Sequence, residues 1–236
     1  MGAPFFFFKI KEKILINMNK KQKENVKFNW TAAKLVLVIS IIFLFQLVFP
    51  QISEIFALTK SNVIIQPWTL VTYIFLHGSF LHLFSNMFAL FLFGSILEKV
   101  VGYKNFLKVF FLSGIISGVF SIFFYNSVIG ASGAIFGVMG MLGILRSKMV
   151  VWTLGVPMYM ILAIIVYAAL DLAGVFYPDN VAHIGHLAGL FYGVIVGLMW
   201  KEKYKLPEKP KKKIKKEYLL SEEEFREWED KYMKKR

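Results

Sequence analysis

Residues 130–146 read GASGAIFGVMGMLGILR, an apolar run that opens on a serine set between glycines and closes on a charge. As a helix it gives about 16 residues, or ~24 Å of rise. That is shorter than the ~30 Å hydrocarbon core of a bilayer. Apolar runs recur on both sides of it, near 33–50, 80–97, 105–125, 151–174 and 182–200. In lipid only helices and closed barrels satisfy their own backbone. These runs are too long and too uniformly apolar for barrel strands with alternating faces. The expected fold is therefore an all-α polytopic membrane protein. Six membrane-spanning helices over residues 30–200 would form one bundle, preceded by a basic segment (1–29) and followed by a charged tail (201–236).

Composition and charge agree with that division. The chain is 57% hydrophobic with a mean hydropathy of +0.58. The first segment carries Lys9, Lys11, Lys13, Lys20, Lys21, Lys23 and Lys27, and the tail after Trp200 is again dense in lysine. Between them, Lys99, Lys104, Arg146 and Lys148 fall on every second connection, while the alternate connections hold only Lys60. This asymmetry predicts that both termini are cytoplasmic, in an integral membrane protein of a prokaryotic cell membrane. The net charge of +13 then serves topology and an anionic leaflet, and no nucleic-acid partner is expected. Within the tail, Ser221-Glu222-Glu223-Glu224 reads as a capping box opening a short helix with Phe225, Trp228 and Tyr232 on one side. The run Phe5 to Phe8 lacks the basic residues that precede the apolar core of a secretory signal. With no cysteine, disulfides, zinc-thiolate sites and thiol nucleophiles are excluded.

Polar residues inside the spans are the informative ones, because such groups in lipid are costly and face a bundle interior or a wet cavity. A short fourth helix pinned at Arg146 on the cytoplasmic side starts below the outer surface, which submerges Ser132 at a helix N-terminus. Free N–H groups there can stabilise a developing oxyanion. The sixth span enters from outside near Val181, which puts His186 about 6 residues, or ~8 Å, down. His82 and Asn86 lie one turn apart on one face of the second span. Three spans thus bring polar groups to one depth. Gly133, Gly137 and Gly140 on the fourth span, and Gly189 and Gly193 on the sixth, have the small-residue spacing of closely packed membrane helices. If the His186–Gly189–Gly193 face packs on the fourth span, His186 reaches Ser132.

These residues resemble the motifs of the rhomboid intramembrane serine proteases. The resemblance is carried by His77-Gly78-Ser79-Phe80-Leu81-His82 with Asn86, by Gly130-Ala131-Ser132-Gly133 with Phe136 and Gly137, and by His186-Leu187-Ala188-Gly189 with Gly193. Phe93-Gly94 through Glu98 to Gly102 also fit, and the match covers roughly residues 65–195. It implies a six-helix rhomboid-like bundle in which Ser132 attacks, His186 is the base and no acidic third member takes part. His82, Asn86 and the Ser132 N–H would bind the oxyanion beside Gly130. Phe136 would pack on the catalytic imidazole, with His77, Gly133 and Gly189 in support and Glu98 making a structural contact. The implied substrates are transmembrane helices of other membrane proteins. They would approach from lipid past the fifth span and be cut after a small residue near the outer face. Helix-destabilising Gly or Pro near the cut should help.

Two departures stand out. Family members often carry Trp-Arg in the first external loop, whereas here Trp68 is followed by Thr69, which puts the usual anchoring of that loop in question. The sixth span also offers two histidines. His186 has glycines three and seven residues later, as in the family, but His183, one turn nearer the surface, remains an alternative base. A neutral imidazole suits that task near pH 7. The nearest acids, Asp171 and Asp179, have no spacing that marks a triad member. A non-catalytic relative that binds client helices would need a disabled dyad. A transporter would show repeats. A metal site using His77, His82, His183 and His186 lacks a carboxylate ligand and the HExxH pattern. No metal or cofactor is expected.

Overall fold

The structure, a computed structural model, describes residues 27–205, except Leu154 and Pro178, and residues 221–233. The expectations for residues 1–26, and for the tail over 206–220 and 234–236, lie outside the described residues. Along the chain come α1 (Thr31–Val48), α2 (Gln51–Phe56), β1 (Leu58–Thr59), α3 (Thr69–Thr72) and α4 (Phe80–Val101). Next are α5 (Tyr103–Ser121), β2 (Ser127–Val128), α6 (Ser132–Leu145), β3 (Val150–Thr153) and β4 (Val156–Tyr159). The last are α7 (Met160–Gly174), α8 (His183–Trp200) and, in the separate C-terminal unit, α9 (Glu222–Tyr232). The fold is mostly helical. Helices α1, α4, α5 and α8 are long and apolar enough to cross a membrane, and α6 and α7 are shorter apolar helices of 14 and 15 residues.

Helix α6 lies at the centre. All of it is buried except Ser132, Phe136 and Ile144, which are partly covered. It packs against both α5 and α8, and the glycines explain how closely. A Cβ on Gly189 would overlap the carbonyl oxygen of Gly133, and one on Gly193 would overlap that of Gly137. On the α5 side, Cβ atoms on Gly133 and Gly137 would strike Ser117 and Ser113. The backbones therefore meet directly, as small residues permit in a lipid-facing bundle. This is the packing expected from the glycine spacing, and it sets the positions of the first residues of α6 and α8.

The fifth span departs from expectation. In place of a helix from 151, the chain makes a β3–β4 hairpin with Val150 opposite Tyr159 and Thr153 opposite Val156, and α7 begins only at Met160. Val150, Val151 and Thr153 favour a pleated strand. Gly155 turns the chain at φ 81°, a conformation that glycine adopts without strain. Pro157 has no N–H to give to a helix. Continuous apolarity concealed these local preferences.

At the other end of the bundle, Glu98 of α4 is fully buried and caps the start of α1. Its carboxylate accepts from the N–H groups of Asn29 (2.8 Å), Thr31 (2.8 and 3.1 Å) and Ala32 (3.1 Å). These are donors that a helix start leaves without intrahelical acceptors. The Glu98→Ala variant is expected to lose about 3 kcal/mol, since it orphans several buried N–H groups together. Glu98→Gln, which keeps an acceptor oxygen, is expected to lose less. Thermal unfolding in detergent checks the order.

The loop after α2 is anchored without an arginine beside Trp68. Buried Thr69 donates its hydroxyl to the Gln66 carbonyl (2.6 Å), and Thr72 donates to that of Phe56 (2.9 Å). The Tyr73 hydroxyl donates to the Gly114 carbonyl of α5 (2.6 Å), and β1 pairs with β2 just ahead of Ser132. From α1, the Gln46 amide accepts from the His77 N–H (3.1 Å) and donates to its carbonyl (3.3 Å). In the C-terminal unit, α9 carries the expected capping box: Ser221 and Glu224 exchange hydrogen bonds, and Phe225, Trp228 and Tyr232 form an aromatic stripe.

Candidate active site

Gly130 takes φ 123°, and its N–H donates to the Tyr73 carbonyl (2.9 Å). This turn delivers Ser132 as the first residue of α6. A Cβ on Gly130 would lie 2.8–2.9 Å from the His82 ring and 3.9 Å from the Ser132 hydroxyl oxygen. Glycine at 130 is thus required twice, by conformation and by the imidazole against it.

Across the α6–α8 contact, Ser132 Oγ lies 2.7 Å from His186 Nε2. The His186 ring stacks on Phe136, with centroids 4.5 Å apart and planes inclined by 15°. Phe136 is itself met edge-on by Tyr167 of α7. The aromatic fixes the plane of the imidazole and keeps one of its faces from water. Ser132, His186 and Phe136 are therefore brought together.

On the second side stand His82 and Asn86. The buried Asn86 amide donates to the His82 carbonyl one turn above (2.9 Å), a bond that uses one of its two N–H donors. His77 sits behind, its ring edge-on to His82 at 4.9 Å. Burial, and then the nearness of His82, pushes the His77 imidazole down to about 3, so this ring is neutral near pH 7. A cavity of about 480 Å³ lies beyond His77 against α1, lined by Phe43, Gln46, Ser53 and Phe80 and not by Ser132.

His183 takes a different place from the one open to it as a base. Its Nδ1 faces Asp171 Oδ1 at 2.6 Å, and its Nε2 faces both oxygens of Asp179 at 3.1 Å. Both nitrogens are thus committed to carboxylates. The resemblance implies no acidic partner for His186 and the spacing of Asp171 marks none, yet Asp171 contacts it: Nδ1 lies 2.9 Å from the same Oδ1. The only signal for it was a carboxylate within an apolar span, which is costly unless partnered.

Asp171, His183 and His186 offer ligand atoms within 4.8 Å of one another, so the chain does bring a carboxylate to two histidines. Ligands at ~2.0–2.1 Å from a tetrahedral zinc ion stand roughly 3.3 Å apart. The 2.6 and 2.9 Å separations are shorter, and they are hydrogen-bond lengths.

The rhomboid domain model matches residues 65–203, more than half of the chain. The chain belongs to the rhomboid family. It is 34% identical to RHOMBOID-like protein 5 of Arabidopsis thaliana over 55% of this chain and 44% of that protein. It is 36% identical to the rhomboid protease GluP of Bacillus subtilis over 53% of this chain and 24% of that one. Against RHOMBOID-like protein 6, mitochondrial, of Arabidopsis thaliana, identity is 33% over 57% and 44%. The chain thus spans less than half the length of these relatives. The rhomboid match contains every site residue described above, from His77 to His186.

Proposed function

We propose that this rhomboid-family chain is an intramembrane serine endopeptidase that cuts transmembrane helices of membrane-protein substrates near the outer membrane face. The observation that carries the reading is the 2.7 Å approach of Ser132 Oγ to His186 Nε2, with the imidazole stacked on Phe136. His186 takes the Ser132 proton as Oγ attacks the scissile carbonyl, then returns it to the leaving amine. Water repeats the sequence to release the acyl group. The Ser132 N–H, the second Asn86 donor and His82 receive the oxyanion, and Gly130 leaves room for it. His183, with both nitrogens held by acids, is not the base.

In this reading α1, α4, α5, α6, α7 and α8 all cross the cell membrane, with both termini cytoplasmic. Lys99, Lys104, Arg146, Lys148 and Lys201 fall at helix ends remote from Ser132. Arg146, after α6, donates to the Tyr204 carbonyl (2.9 Å), and Asn105, near the start of α5, donates to the Tyr204 hydroxyl (2.8 Å). The basic ends therefore gather on one face. Fourteen residues of α6 rise only ~21 Å, so Ser132 lies below the opposite surface. The test is covalent labelling of purified protein by a fluorophosphonate. Wild type and His183→Ala are expected to label and Ser132→Ala to stay blank. A folded wild type that never labels defeats the proposal in favour of a client-binding relative.

A further inference from the structure

We propose that Asp171 is a positioning residue for His186, held in place by His183, so that the serine and its base are completed by a carboxylate from the neighbouring helix. The inference rests on the hydrolase reading above for what is positioned, and on the hydrogen-bond geometry for how.

Asp171 lies in the last turn of α7 and is only 6% exposed. Its Oδ1 is met by Nδ1 of His186 at 2.9 Å and by Nδ1 of His183 at 2.6 Å. An ionised carboxylate only accepts, so His186 donates from Nδ1. A neutral imidazole has one N–H. With the hydrogen on Nδ1, the lone pair of Nε2 faces the Ser132 hydroxyl, which donates to it across 2.7 Å. The other tautomer would donate to Ser132 Oγ and could not accept its proton. Phe136 sets the plane of the ring. Asp171 sets which nitrogen carries the hydrogen, and it balances the positive charge once His186 holds the serine proton.

His183 explains why the carboxylate stays aimed. Both of its nitrogens face carboxylate oxygens, so with both acids ionised both nitrogens donate and the ring is an imidazolium. It bridges Asp171 to Asp179 in the α7–α8 connection, a charge-assisted arrangement. The Val181 N–H, and then His183, hold the Asp179 carboxyl below its usual range. Gly174, one turn after Asp171, provides the space, since a Cβ there would run into the His183 ring. The cluster is built from the end of α7 and the start of α8 around one oxygen atom. A tie between α7 and α8 would need only one histidine.

The experiment uses the full chain in bicelles with ¹⁵N-labelled histidine, since there are only four histidines to assign. In wild type, His186 is expected as the Nδ1–H tautomer. In Asp171→Leu, which has no acceptor, that form is expected to give way to Nε2–H. Reporter cleavage should lose about 10- to 1,000-fold in kcat with KM within about threefold, and Asp171→Glu should restore part of kcat. The proposal is overturned by a wild-type His186 in the Nε2–H form, a measurement that needs no variant to fold. It is overturned equally if kcat falls with the tautomer unchanged, if the tautomer changes with kcat intact, or if neither moves. A wild type that neither labels nor cleaves, yet loses Nδ1–H in Asp171→Leu, sinks the hydrolase reading and leaves the positioning standing.

Discussion

His186→Ala is expected to cleave a transmembrane reporter at least about 10³-fold more slowly than wild type, while His183→Ala stays within about tenfold. The magnitude follows from what each ring touches. Without Nε2 beside it, the Ser132 hydroxyl has no acceptor for its proton, and a positioned general base is worth roughly 10²–10⁴ in rate. At about 1.36 kcal/mol per decade, 10³ is ~4 kcal/mol of barrier. His183 makes no contact of that kind. Its nitrogens lie on Asp171 and Asp179, so its removal loosens the carboxylate and leaves the Ser132–His186 pair in place. Initial rates for the two variants, measured beside circular dichroism to establish folding, check the difference. A reversal of their order would move the base one turn up the helix.

The second large effect is structural. Gly193→Val is expected to lose both fluorophosphonate labelling and the folded state in detergent, whereas Gly197→Ala survives. A Cβ at 193 would occupy the space of the Gly137 carbonyl oxygen, which is backbone and cannot rotate away. At 197 the nearest atoms are the Ile144 Cβ at 3.0 Å and the Met141 Cα at 3.3 Å, so the two helices need part by only a few tenths of an ångström. Overpacking a well-fitted contact costs about 1–3 kcal/mol, and a branched residue against backbone lies at or beyond the top of that range. The native margin is only about 5–15 kcal/mol. Because α6 and α8 carry Ser132 and His186, separating them breaks the pair even if the chain stays helical. Thermal melts together with labelling distinguish a parted site from a lost fold. Labelling of Gly193→Val at the wild-type level would contradict the direct backbone contact.

Much of this site was legible because its signals are local to single helices. Ser132 beside Gly130 and Gly133, His82 one turn from Asn86, and His186 ahead of Gly189 and Gly193 are each patterns of a few residues on one helix face, where spacing alone decides what is shared. Glu98 belongs with them, since a carboxylate in an apolar span needs donors, and the nearby start of α1 has them to offer. The hairpin at 150–159 was hidden because the same apolar residues satisfy a strand or a span, and only cross-strand pairing and the turn at Gly155 separate the two.

By itself, then, the sequence determined most of the apolar helices and the faces they pack, because helical periodicity and the cost of polar groups in lipid act within a segment. Tertiary structure alone decided which group meets Nδ1 of His186. Asp171 and His186 are 15 residues apart on two helices joined by a turn, and no periodic rule crosses that turn. Their meeting depends on how far α7 is rotated against α8. That rotation is fixed by Gly174 admitting His183 and by one carboxylate oxygen having to serve two imidazoles at once.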